Sequence, residues 1–407
     1  MRIMTASILI LLALVCVSTL IWRAARAKHA RGSGSFDYAA TWSPKLAESY
    51  LDSREVWWQK WPSAQMDHGT VCVSCHTVLP YALVQPQLRH ELGENGMTAS
   101  EQAMLGSVEK RVANWSQTTP YYTDALDGQG KTQESRATES ILNAVILSSY
   151  DAAEGHLSPL TRLAYDQAWA LQLKTGEDAG GWQWQNFHQA PWESSESAYQ
   201  GAAMMAIAIG EAPNSYASGS AVRDNLNLLK QYLRRKYDVQ PLMSKLYVLW
   251  ASAQMPGLLT EDQEARLLDE VARLRLGDGG WVLSSLDEQS TKHKYLDTLR
   301  RLTRTGKSDG CATGLVVLAM ETAAVKRHEK LLQQGQQWLE NHQTKDGSWQ
   351  AVSLNGPRDV YSDIGRFMSD AATGYAVLAL ETARQKNEGM TRQRAALLPG
   401  RVNPNLE

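Results

Sequence analysis

Residues 309–323 read DGCATGLVVLAMETA, and residues 370–383 read DAATGYAVLALETA. Thr313 and Thr373 stand sixty positions apart, and from each a Thr-Gly, an apolar run and Glu-Thr-Ala follow in register. Self-similarity at such a period marks a fold assembled from repeated units. Both runs are apolar on nearly every side, which predicts helices buried all round rather than amphipathic ones. Residues 241–254 form another run of this type. A weaker pair opens at Glu139-Ser140 and at Glu196-Ser197, and the second is rich in small residues (Ala202, Ala203, Ala206, Ala208). Between these runs lie four segments with one apolar stripe, residues 160–173, 222–236, 261–276 and 329–342. A buried helix alternating with a half-exposed one predicts an all-α chain, a closed array of helical hairpins with an inner and an outer ring.

Three of the outer segments are followed by a glycine-tryptophan turn: Gly180-Gly181-Trp182, Gly279-Gly280-Trp281 and Gly347-Ser348-Trp349. Glycine supplies the positive φ that ends a helix, and the indole can then stack on a neighbouring helix. These turns resemble the Gln-Trp repeats of the squalene-hopene cyclase and protein prenyltransferase superfamily, whose members are α/α toroids. Gln343 to Trp349 matches that repeat, Gln172 stands too far from Trp182, and Arg275 replaces the glutamine before Trp281. The resemblance covers about residues 134–384. It implies the fold more than the activity, because the repeats are structural in that superfamily. The cyclase acid motif Asp-x-Asp-Asp and the diphosphate motif Asp-Asp-x-x-Asp are both absent from the sequence. Asp309-Gly310-Cys311 resembles the zinc-binding Asp-x-Cys of prenyltransferase β-subunits, but no histidine stands at 369–373, where the third ligand would be. The carboxylates expected at inner-helix starts, Glu139, Glu196, Asp309 and Asp370, are weak candidates for a general acid or base. Capping is their plainer role. Trp182, Trp184 and Trp192 with Glu193 and Glu196 also allow a carboxylate-and-tryptophan glycan site.

The strongest chemical motif lies upstream. Residues 72–76 read Cys-Val-Ser-Cys-His, the attachment signature of c-type haem. Two thiols one turn apart suit the two vinyl groups of a porphyrin, and the adjacent histidine suits its iron. The competing readings are a thioredoxin-like dithiol, half of a zinc site or a disulfide. Cys72 and Cys75 are thus expected to hold one haem c covalently, with His76 as an iron ligand. Met97, Met104, Met66, His90 and His68 are the candidates for the sixth ligand. The composition has 14 Trp and 15 Tyr against 3 Phe, which suits a lined cavity as well as a core. A formal net charge of −2 excludes a nucleic-acid binder of the basic type.

Residues 3–22 are uncharged and apolar, long enough to span a bilayer, and read as a signal anchor or a cleaved signal peptide. Arg23, Arg26, Lys28 and Arg31 follow the span, and by the positive-inside rule they favour a cytoplasmic bulk. Haem attachment favours the opposite side, and the motif decides for the periplasmic side of a bacterial inner membrane. The organisation expected is 1–35 anchor or signal plus linker, 36–131 haem-attachment region, 132–386 toroid and 387–407 polar tail. The function expected is a monohaem c-type cytochrome fused to a toroid. It would serve electron transfer or redox chemistry with a redox partner protein, a quinone-type molecule or a hydrophobic isoprenoid ligand. The alternatives are a terpene-cyclase-like enzyme with an accessory haem motif, and a non-catalytic periplasmic binding protein.

Overall fold

Twelve long helices carry the chain in a computed structural model that describes residues 36–287 and 306–397, with side chains of the last helix described to 388. They are α1 (Pro44–Lys60), α2 (Val78–Leu92), α3 (Ala99–Ala113), α4 (Lys131–Glu154), α5 (Pro159–Leu171) and α6 (Ser197–Glu211). The rest are α7 (Arg223–Lys236), α8 (Leu242–Gln254), α9 (Glu261–Leu274), α10 (Gly310–Thr322), α11 (Glu329–Asn341) and α12 (Phe367–Leu397). The only strands among the described residues are two of two residues each, Gln65–Met66 and Thr70–Val71, paired antiparallel just before the cysteine motif. The chain is all-α.

The two helix classes differ in what they bury. In α10 every residue from Gly310 to Glu321 is buried, whereas α9 buries only Leu267, Leu268 and Val271. The even-numbered helices pack in a closed circuit, α2 on α4, α4 on α6, α6 on α8, α8 on α10, α10 on α12, and α12 back on α2. The odd-numbered helices lie outside, α1 on α2, α3 and α5 on α4, α7 on α6, α9 on α8, and α11 on α10 and α12. One surface hollow takes residues from the C-terminal part of five inner helices and from the middle of the long α12: His90, Ala152, Glu211, Gln254, Thr322 and Thr382. That hollow is one mouth of the circuit, and the inner-helix N-termini point to the other.

The glycine-tryptophan turns lock neighbouring hairpins. The Trp182, Trp281 and Trp349 indoles donate to the carbonyls of Ala168, Val271 and Leu339 at 2.7, 2.8 and 2.9 Å, each on the preceding outer helix. The Trp281 and Trp349 amides donate to Thr313 and Thr373 Oγ1, both at 3.0 Å, which is why those threonines repeat in register. Gly180 and Gly347 have φ of +97° and +93°, and a Cβ there would lie 2.1 Å from the Leu228 carbonyl oxygen and 2.0 Å from that of Leu46. Each turn therefore abuts the next outer helix, and the last turn abuts α1. Gln343 completes that closure, accepting from the Ser43 amide at 2.7 Å and donating to the Ser43 carbonyl at 3.0 Å. Gln172 makes the equivalent bonds, to the carbonyls of Gly180 and Asn225, so its longer spacing to Trp182 is absorbed by a looped-out turn.

Two expectations change here. Residues 36–131 do not stand in front of the ring: they supply its first three long helices, and α2, directly after the Cys-x-x-Cys-His motif, is an inner helix. The repeat pattern missed α2 because Pro80, Pro86, Gln85 and Gln87 interrupt its apolar run. Residues 387–397, expected in a polar tail, continue α12: Arg392 to Leu397 are good helix formers and no proline comes before Pro399, which outweighs Gly389. The apolar segment 3–22 and the linker 31–35 lie outside the described residues. Among the described residues no helix is long and apolar enough to cross a membrane.

Candidate functional site

A cavity of about 1200 Å³, its open entrance included, lies by the N-terminal ends of α2, α6 and α12 and against α4. Cys72, Cys75 and His76 border it on one side. Trp58, Trp61, Tyr121, Tyr122, Trp192 and Phe367 supply an aromatic wall, and Glu193, Gln185, Arg358 and Met368 complete the lining used below.

The turn that presents the motif is capped from within. Ser74 Oγ accepts from the Thr77 and Val78 amides at 3.2 and 3.1 Å, and its carbonyl accepts from the Leu79 amide at 3.0 Å. Thr77 occupies the N-cap position of α2 yet makes no side-chain cap bond. Its hydroxyl instead lies 2.9 Å from His76 Nδ1 and donates to Asp370 Oδ2 at 2.8 Å. Asp370 Oδ1 accepts from Tyr50 Oη and Arg54 Nε, both at 2.8 Å, and Oδ2 accepts from Arg54 Nη2 at 3.1 Å. The His76 ring stacks on Phe367, with centroids 4.0 Å apart, and meets Trp58 edge-on at 5.4 Å. Burial, with Arg54 and Arg358 nearby, pushes the imidazole down to about 3, so His76 is neutral. Burial raises the Asp370 carboxyl, and Arg54, Thr77 and Tyr50 draw it back.

Cys72 and Cys75 are free thiols. Burial, and the Glu193 carboxylate, push both up, so neither is poised as a thiolate. A reactive dithiol needs the reverse, an electropositive setting that favours the thiolate. Glu193 is itself raised by burial, with Lys131 opposing. The buried Gln185 Nε2 has no hydrogen-bond partner. The Trp192 N–H lies towards the Tyr247 hydroxyl without a bond of ordinary geometry. A buried polar atom left without a partner is uncommon; Gln185 Nε2 and Trp192 Nε1 are two of several such atoms among the described residues, and both side chains border the cavity.

The residues present fit a covalent haem. Two adjacent free thiols and a neutral imidazole with its Nδ1 side engaged share one cavity with six or more aromatic side chains, beside polar ones such as Gln185, Glu193 and Asn355. Arg358 is the cationic side chain bordering it. The five sixth-ligand candidates do not fit as expected, because none borders this cavity. Met104 is fully buried in α3, Met66 and Met97 are half-buried elsewhere, and His68 and His90 are exposed. Of the soft donors described, Met368 is the methionine that lines the cavity, at a position the sequence gave no reason to single out.

The four weak acid–base candidates are drawn into structure. Glu139 lies more than two turns inside α4 rather than at its start, buried against Arg111 and Arg136. Asp309 caps α10 by accepting from the Ala312 amide at 2.9 Å, and burial pushes it up to about 6. Asp370 is the buried partner of Arg54 just described. Glu196 sits at the N-cap of α6, half-buried, without a capping bond and outside the cavity lining. Of the carboxylate-and-tryptophan set, Glu193 and Trp192 border the cavity, while Trp182 and Trp184 are buried packing residues.

No family model matches the chain, and no curated protein matches it. Among solved structures, a wild-type glycosidase aligns at a TM-score of 0.48 and 12% identity, covering 84% of this chain and 98% of that one. A point variant of a glycosidase aligns at a TM-score of 0.47 and 11% identity, with the same coverage. At these values the likeness carries no argument about chemistry.

Proposed function

We propose that Cys72 and Cys75 carry one haem c covalently, with His76 as an iron ligand. The haem would be seated in the mouth of an α/α toroid made of an inner and an outer helix ring. The chain would serve electron transfer or redox chemistry outside the cytoplasm. One observation carries the reading: the two thiols, the neutral imidazole and an aromatic wall border the same cavity.

Haem, when bound, supplies a one-electron iron couple whose potential follows its ligands, burial and surrounding hydrogen bonds. The protein's own residues do the rest. Ser74 fixes the turn, Thr77 orients the imidazole, Trp58, Trp61, Trp192 and Phe367 exclude water, and Arg358 suits a carboxylate at the rim. The site is part of the toroid, so a redox partner protein would have to dock on this mouth, or a quinone-type or isoprenoid molecule enter it. The apolar segment 3–22 supports an inner-membrane anchor or a periplasmic export signal. The cyclase-like alternative loses its best acids, since Glu139, Asp309 and Asp370 border no part of the cavity.

The test is the intact mass of the denatured protein from a bacterial host with c-type maturation. Wild type should carry the mass of one haem, and Cys72→Ala with Cys75→Ala should carry none. An unmodified wild type would overturn the proposal. It would favour the second reading, a binding protein whose aromatic mouth takes an apolar ligand.

A further inference from the structure

We infer that Asp370, acting through the Thr77 hydroxyl, holds His76 in the tautomer protonated on Nδ1 and leaves Nε2 as the lone-pair nitrogen. The argument is a count of protons. Arg54 gives one charged N–H to each Asp370 oxygen, which holds the carboxyl as an anion that can only accept. The single Thr77 hydroxyl proton therefore points to Asp370 Oδ2 at 2.8 Å. With that proton committed, Thr77 Oγ1 can only accept from His76 Nδ1, 2.9 Å away, so Nδ1 carries the hydrogen. Two further facts single out the hydroxyl for this task. Ser74 already caps α2, so Thr77 is not needed there. Tyr50 and Arg54 are 4% and 2% exposed and Asp370 is fully buried, so the far end of the chain is rigid.

Thr77 and Asp370 are positioning residues, two bonds removed from any reacting atom. A histidine that ligates a metal through one nitrogen ordinarily donates the other N–H to an oxygen, which fixes the ring and raises its basicity. Here the oxygen is a threonine hydroxyl backed by a buried carboxylate. The consequence for iron rests on the haem reading; the tautomer does not.

Two readouts separate those failures. The first is the ¹⁵N spectrum of the full-length chain labelled at histidine and expressed without haem maturation, with the His76 signals assigned by their loss in His76→Gln. Wild type should show a protonated-type Nδ1 and an unprotonated-type Nε2. Thr77→Val should lose that pattern, and Thr77→Ser should keep it. A wild-type His76 protonated on Nε2, or a Thr77→Val spectrum identical to wild type, would overturn the inference. The second is the reduction potential of the haem-bearing protein, which should rise in Thr77→Val and return in Thr77→Ser. If no covalent haem forms, the functional proposal fails while the ¹⁵N spectrum still decides the tautomer.

Discussion

Replacing Arg54 with methionine tests whether the segment carrying the cysteine motif is truly built into the ring. Arg54 lies on α1 and Asp370 on α12, more than three hundred residues apart in sequence, and the two side chains are 3% and 0% exposed. Methionine preserves most of the length and removes the charge. Both N–H bonds to Asp370 are lost, together with those to the Asp363 carboxylate and carbonyl at 3.0 and 2.7 Å. Asp370 keeps only Tyr50 and Thr77 as donors, in a site with no water contact. Removing one partner of a buried pair costs about 3–5 kcal/mol, because the other charge is stranded. The stranded carboxyl can escape by binding a proton, so the loss should be smaller at pH 5 than at pH 8. Arg54→Met/Asp370→Leu removes both charges and should recover most of the loss, since apolar replacement of a whole buried pair is often neutral. The assay is urea unfolding followed by tryptophan fluorescence, with the slope unchanged between variants. A single-variant loss below about 1 kcal/mol, or simple additivity in the double variant, would refute the reasoning and free residues 36–131 from the ring.

Three other outcomes are expected. Glu55 is fully buried with one oxygen unpartnered, and burial pushes it up to about 8. That is above its unfolded value, so its contribution to stability is complete below about pH 4.5 and is lost as pH rises through about 8, by up to about 5 kcal/mol; Glu55→Gln should flatten the urea midpoint between those pH values, and an unchanged slope against pH would count against it. Gly347→Ala should destabilise by more than ~1 kcal/mol in thermal or urea unfolding, because its Cβ would meet the Leu46 carbonyl, and a neutral result would mean that the last turn does not abut α1. Met66→Ala, Met97→Ala, His68→Ala and His90→Ala should each leave the absorbance of the haem-bearing protein unchanged, and a shifted spectrum in any of them would restore that residue as a ligand.

The inner and outer helices from residue 134 onward could be read because each carries one unbroken physical signature. Residues 309–323 and 370–383 are apolar all round and residues 261–276 have one stripe; the observed helices begin within a few residues of those patterns, and two of the three also end there, while α12 runs on to Leu397. The Gly-Trp turns were legible for the same reason, since a positive φ and a buried indole leave few residue choices. The first inner helix was not legible. In α2 two prolines and two glutamines break the apolar run, and only the closing contact with α12 reveals its place. At the site, Cys72, Cys75 and His76 stood out by spacing, whereas Thr77, Arg54 and Tyr50 did not. Their role depends on Asp370, which is adjacent to them only in space. In the sequence Asp370 reads as a possible acid at a helix start, but a carboxylate that caps, one that catalyses and one that buttresses a histidine look alike until their donors are known.

The measurement that bears most directly on the central claim is the absorbance spectrum of the protein from a host with c-type maturation, oxidised and reduced, followed by denaturation in alkaline pyridine. The account predicts a sharp reduced α-band that stays with the polypeptide on denaturation and disappears in Cys72→Ala/Cys75→Ala. A colourless protein, or a haem that leaves on denaturation, would contradict it.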